Sequence, residues 1–257
     1  MLRYKKEDGR MKRQTSPGNK SFWDHWAERY DPFMRGSEPL YNRIAQRMKK
    51  RLTRDMYVLE LACGTGMVSE RIAGSVRSLE ATDFSPHMIA QAKTRGTSAR
   101  LHYSVADATQ LPYADQSFDA VVIANALHVM PEPEKALAEI RRVLRPGGLL
   151  LAPTFVHGEG GGFRLRVKLL EWAGFHTYFR WSAEAFASFV SGGGFTVEAR
   201  ELMNGGLAPL CYLEARSAEA CASLPQAHRA GARSNPRSPE LTGRNWAKEE
   251  EACEKSL

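Results

Sequence analysis

The chain contains no stretch approaching the ~20 consecutive apolar residues that a membrane helix needs, so no membrane span is expected. Its first twenty residues are basic but lack the apolar centre of a secretory signal, which points to a cytoplasmic protein. Cysteines are few. Cys63, Cys211, Cys221 and Cys253 have neither metal-ligand spacing nor the density of a disulfide scaffold, so no metal is expected. Cys63 reads as a small, semi-apolar filler. A broad basic surface is missing as well. The net charge is +7, but residues 1–20 hold seven Lys/Arg against two acids and residues 216–257 hold seven against six, leaving the body near +1. Nucleic-acid enzymes usually carry their basic patch on the folded domain, so a large nucleic-acid footprint is not expected. The cluster Lys49, Lys50, Arg51 and Arg54 reads as a helix end with solvated cations.

What remains is ordinary globular material, 43% hydrophobic and 25% charged in 257 residues, enough for one α/β domain. Residues 1–20 read as a flexible basic leader. Residues 216–257 have few large apolar side chains and read as a mostly disordered tail, with a short helix near 245–255. Between them, residues 21–215 alternate in type. Helical periodicity covers about 20–30 and 37–53. Tyr57–Leu61 is a short apolar run that enters a glycine turn, and a helix follows from about Gly66 to Ala73. Ser78–Thr82 and Arg100–Val105 read as strands two and three, with Ser85-Pro86 capping and opening a helix between them. Phe118–Ala124 is a fourth strand. Ala136, Leu137, Ile140, Val143 and Leu144 mark one buried face of a helix over Pro133–Leu144. That helix stops at Arg145-Pro146-Gly147-Gly148, and Leu149–Pro153 is a fifth strand. Near-continuous apolar strands alternating with helices predict a parallel sheet covered on both faces. A late helix over about 182–190 precedes two strands, Phe195–Leu202 and Pro209–Ala215. Their short glycine-containing link predicts a C-terminal antiparallel hairpin.

Chemistry concentrates at the strand ends. The run Val58–Glu70, VLELACGTGMVSE, is a strand, a two-glycine turn and a helix start. Glycine lets a ligand approach the backbone closely, and the helix N-terminus offers unpaired N–H groups. A nicotinamide fingerprint would have a third glycine where Ser69 stands. Asp83, at the end of strand two, can accept hydrogen bonds from ribose hydroxyls, and its bland alternative is a capping or loop aspartate. Asp107, after strand three, can accept from an adenine amino group or serve as an ordinary loop acid. His128, past strand four, and His157, past strand five, are candidate general bases, with a structural histidine as the alternative for each.

Together, LELACGTG, Asp83-Phe84-Ser85, Asp107-Ala108, FDAVV and LRPGG resemble the class I S-adenosylmethionine-dependent methyltransferases. The subgroup most similar is that of the ubiquinone/menaquinone-biosynthesis-like small-molecule enzymes (methyltransferase type 11). The resemblance is close over 21–155 and loose over 156–215. It implies a Rossmann-like, seven-stranded, mostly parallel sheet with a C-terminal antiparallel hairpin and helices on both faces. It also implies an N-terminal helical lid (21–55), a cofactor core (56–155), a substrate-side insertion (156–192) and the terminal hairpin (193–215). The implied cofactor is S-adenosylmethionine. Glu60, Ala62, Gly64 and Gly66 would line its amino-acid end, with Thr65 also counted as cofactor-binding, and Asp83 would hold its ribose. Phe84 and Met88 would flank the adenine, with Asp107 and Ala108 at its edge. Asn125 would lie beside the sulfonium, and Tyr30 would reach in from the lid run Trp26-Ala27-Glu28-Arg29-Tyr30-Asp31. Ala62 stands where many relatives have glycine.

Methyl transfer from a sulfonium is an in-line displacement, so alignment and exclusion of water carry the catalysis, with His128 the first candidate base where a proton must leave. The acceptor is expected to be a small molecule. Phe155, Phe163, Trp172, Phe175, Tyr178, Phe179 and Trp181 either form an aromatic wall for an apolar or planar acceptor or pack the insertion onto the sheet. The alternatives are an RNA or protein methyltransferase recruited through the basic leader, and a non-catalytic S-adenosylmethionine-binding protein. A nicotinamide dehydrogenase ranks last. Oligomeric state has no signature in the sequence.

Overall fold

The computed structural model describes residues 6–7, 10–11, 20–95, 98–156, 176–204 and 209–218. Five strands run parallel: β1 (Tyr57–Leu61), β2 (Ser78–Asp83), β3 (Leu101–Val105), β4 (Phe118–Ile123) and β5 (Leu144–Leu151). They lie side by side in the order β3-β2-β1-β4-β5. β6 (Thr154–Phe155), β7 (Phe195–Met203) and β8 (Leu210–Ser217) complete the sheet, with β8 antiparallel to β5, β6 and β7. The parallel core and the terminal hairpin are those the sequence predicts. The break between β5 and β6 falls at Ala152-Pro153. Proline has no N–H for the ladder. Beyond it the chain resumes pairing with the same partner, so β6 continues β5.

Side-chain alternation explains why the sheet is buried on both faces. Val58, Ala120, Val122, Leu149, Leu151, Leu210 and Tyr212 point into one half-core. Leu59, Val121, Ile123, Leu150, Cys211, Leu213 and Ala215 point into the other. The first half-core is closed by α2 (Glu38–Lys49) through Leu40, Tyr41, Ile44 and Met48, and by α3 (Met67–Ile72). The second is closed by α5 (Pro133–Val143) through Ala136, Leu137, Ile140 and Val143, and by α6 (Ala183–Gly192). α4 (Pro86–Thr94) begins as predicted: the Ser85 hydroxyl accepts the Met88 N–H at 3.2 Å, and Pro86 occupies the first turn.

Three expectations are corrected. α1 runs Lys20–Met34 and does not stop at about residue 30; Pro32 is inside it. Packing of Tyr30 against the core and polar ties from Asp31 hold the last turn despite the proline. The Leu-Arg-Pro-Gly-Gly run is not only a helix stop. Leu144 pairs with Phe118 and Leu149 with Ala120, so residues 145–148 bulge out opposite Asp119 within one strand. Asp119 supports that bulge by pairing with Arg145, and its other oxygen accepts the Tyr57 N–H at 2.7 Å. The tail is also shorter at its start, since β8 runs to Ser217. The rest of the tail and most of the leader lie outside the described residues. Among the described residues, no helix is long and apolar enough to cross a membrane, and no group of three or more potential metal ligands occurs.

Candidate active site

The strand order reverses between β1 and β4, and loops leaving the carboxyl ends of such strands diverge to leave a crevice. A cavity of about 290 Å³ occupies that position. Its walls come from the loops after β1, β2, β3 and β4, and from Trp23 and Tyr30 on α1.

The loop after β1 makes its turn through left-handed backbone at Ala62 (φ 51°), Gly64 (φ 57°) and Gly66 (φ 80°). The Cys63 N–H continues the parallel ladder to the Thr82 carbonyl at 2.9 Å. The Gly64 N–H then turns onto Asp83 Oδ2 at 2.8 Å, and Asp83 Oδ1 accepts the Ser85 N–H at 2.9 Å. Asp83 is therefore oriented by backbone at the end of β2. Burial raises its pKa; those hydrogen bonds oppose the shift and the nearby Asp24 carboxylate adds to it. Gly66 has a second constraint. A Cβ there would sit 2.2 Å from the Tyr103 hydroxyl.

Glu60 lies beneath this loop, 1% exposed, and burial pushes its carboxyl up to about 8, with the neighbouring Ser69 hydroxyl only partly offsetting it. Thr65 is also buried, and its hydroxyl donates to Asp31 on α1 at 2.5 Å. On the opposite side, Asp107 Oδ1 accepts the Thr109 N–H at 2.8 Å and its hydroxyl at 2.7 Å, fixing the loop after β3. Asn125 adopts φ 54°, and its side chain is doubly engaged. Its Oδ1 accepts the Phe155 N–H at 3.1 Å, and its Nδ2 donates to the Tyr41 hydroxyl at 3.0 Å. Tyr30 hydrogen-bonds the same Tyr41, and burial raises both phenols above the ordinary tyrosine value.

Of the residues singled out by sequence, Tyr30, Ala62, Gly64, Asp83, Phe84, Met88, Asp107, Ala108 and Asn125 line the cavity. Glu60, Thr65 and Gly66 are not among its lining residues. His128 does not line it either. It is buried in the turn Leu127–Val129, its ring set edge-on to Phe155 at 6.4 Å, and its carbonyl accepts the Tyr178 and Phe179 N–H groups at 3.1 Å each. His157, Phe163, Trp172 and Phe175 lie outside the described residues. Phe179 and Trp181 stack at 5.0 Å, and Trp181 stacks on Phe189 of α6 at 4.6 Å, so these two rings pack the segment onto the domain. Sequence reasoning passed over Trp23, Thr109 and the stretch Val129–Glu132, which also line the cavity. Trp23 was discoverable: it precedes Tyr30 by seven residues and so shares its helix face.

Residues 59–152 match the family described as "Methyltransferase domain". Over 107 residues the chain is 45% identical to the demethylmenaquinone methyltransferase of Renibacterium salmoninarum, covering 42% of this chain and 44% of that protein. The matched stretch thus spans less than half of that relative. Among solved structures, the magnesium protoporphyrin IX methyltransferase of Synechocystis PCC 6803, with S-adenosylhomocysteine bound, superposes with a TM-score of 0.59 at 15% identity, over 78% of this chain and 96% of that one. The [4+2]-cyclase SpnF superposes equally well, with a TM-score of 0.59 at 23% identity over 70% of this chain and 82% of that one. At such identities the likeness concerns the fold.

Proposed function

We propose that the protein transfers a methyl group from S-adenosylmethionine to a small, planar, apolar acceptor of the quinol type. The observation that carries the cofactor assignment is the character of the cavity wall. Asp83, Asp107 and Glu132 line it, and among the described lining residues there is no Lys or Arg. A dinucleotide pyrophosphate would meet carboxylates and no cation there. A sulfonium cofactor with ribose hydroxyls and an adenine amino group supplies the positive charge and donors that carboxylates accept. Trp23, Phe84, Met88, Ala108, Val129 and Met130 give the apolar surface that an adenine ring needs.

In this reading Asp83 accepts the ribose hydroxyls, Asp107 faces the adenine edge, and Phe84 and Met88 hold the ring. Asn125 acts by shape. With both ends of its amide engaged, it fixes the end of β4 against Tyr41 and Phe155 and so sets the position of the wall beside the sulfonium. Among the described lining residues there is no histidine, and in this reading alignment and exclusion of water carry the reaction. The acceptor class rests on the resemblance to demethylmenaquinone methyltransferases over the cofactor half.

S-adenosylhomocysteine at a hundred times its Kd should stabilise the fold by about 2.7 kcal/mol, visible as a raised melting temperature, whereas NAD should leave it unmoved. The reverse result removes the cofactor assignment. A methyl-transfer screen with the full chain should then find turnover on quinols or phenols and none on bulk RNA. Turnover on RNA alone would replace the acceptor class while leaving the donor in place.

A further inference from the structure

α1 supplies two walls of the cavity, Trp23 and Tyr30, seven residues apart. One position further along, Asp24 and Asp31 repeat the same spacing. Seven residues are two turns, about 10.5 Å, so the two acids lie on one face of the helix, beside the rings. Each acid grips a different cofactor loop. Asp31 accepts the buried Thr65 hydroxyl of the loop after β1 at 2.5 Å. Asp24 accepts the hydroxyl of Ser85, which begins the turn after β2 and also caps α4.

Each acid also has a basic partner outside the loop it grips. Arg95, just past α4, pairs with Asp31 and lies 3.8 Å from Glu70 of α3, so it braces α1 against two helices. His87 Nδ1 lies 3.3 Å from Asp24. The roof of the cavity is therefore fastened at two points to the same loops that form its floor. Apolar packing alone would hold α1 near the domain without fixing where the rings sit over the glycine turn. The two carboxylates set that register, because each accepts from a hydroxyl held by a single backbone position.

We propose that Asp24 and Asp31 are positioning residues forming a two-point clamp, which seats α1 over the cavity and sets the rate at which the cofactor leaves. This rests on the cofactor reading above. The clamp itself has a readout that needs no ligand. In the free protein, Asp24→Ala and Asp31→Ala, which remove the accepting oxygens, should each raise hydrogen exchange of α1 amides about tenfold, the weight of one hydrogen bond to a charged group. Exchange in β1 and β2 should stay as in the wild type. Thr65→Val should raise α1 exchange as Asp31→Ala does, and Thr65→Ser, which keeps the hydroxyl, should not.

With ligand present, the dissociation rate of S-adenosylhomocysteine, measured by chase with excess S-adenosylmethionine, should rise about tenfold in each aspartate variant. Unchanged α1 exchange in both aspartate variants overturns the clamp. Raised exchange with an unchanged dissociation rate overturns its role in cofactor exit. If the wild-type protein binds no S-adenosylhomocysteine, the cofactor reading falls, and the exchange arm alone decides whether the clamp exists.

Discussion

At the scale of single residues, the site is held by backbone requirements more than by unusual side chains. Ala62 sits in left-handed backbone without being glycine, a conformation that costs an L-residue roughly 1–2 kcal/mol. Gly66 could not make the same exchange, because Tyr103 fills the space a side chain would need. Glu60 carries a different cost. Its carboxyl ionises near 4.5 when exposed and near 8 in the fold, because burial disfavours its charge. Between those values the unfolded chain has lost a proton that the folded chain keeps. Stability therefore falls as pH rises from about 4.5 to about 8, and the contribution is flat above that. Glu60→Gln cannot titrate, so its stability relative to wild type should grow between pH 5 and pH 8. Urea denaturation of both proteins at the two pH values checks this; an equal difference at both would mean that the fold does not raise the pKa of this carboxyl.

At the scale of elements, the sequence was legible where local chemistry decides and illegible where neighbours do. β1, α4 and α5 follow from apolar periodicity, a serine cap and a first-turn proline, all written within a few residues. The end of α1 and the path of Leu144–Gly148 were not legible. The first depends on what Asp31 meets across the cavity, and the second on the register of β4 alongside. The cations near the end of α2 show the same dependence. Of the four read as solvated, Arg51 is spent on the hairpin: it pairs with Glu198 and lies 3.0 Å from Glu214, and Arg47, outside that cluster, lies 3.6 Å from Glu214. Glu214 is only 3% exposed, while both arginines remain about a third exposed and keep second partners in Glu198 and Glu201. Glu214→Gln should thus cost about 1–2 kcal/mol, below the range for a fully buried pair, by denaturant titration. A loss below a few tenths would show that the pairs with Glu214 add nothing to the hold on α2.

At the scale of the whole molecule, the site is a product of strand order. The acids and glycines were visible in the sequence because each ends a recognisable strand. The wall from Val129 to Glu132 was not, because only the arrangement β3-β2-β1-β4 brings that loop opposite Asp83 and Phe84. The acid-lined wall that results has a consequence for turnover. In the proposed reaction the donor enters as a sulfonium and leaves as a thioether, so transfer removes one unit of positive charge from a ligand in a cavity lined by Asp83, Asp107 and Glu132. The carboxylates that favour entry thereby loosen their hold on the spent molecule, and the reaction itself prepares the exit. Ions in solution weaken this difference. Raising salt should therefore raise the Kd of S-adenosylmethionine more than that of S-adenosylhomocysteine, and parallel titrations of the two ligands would show whether charge loss drives release.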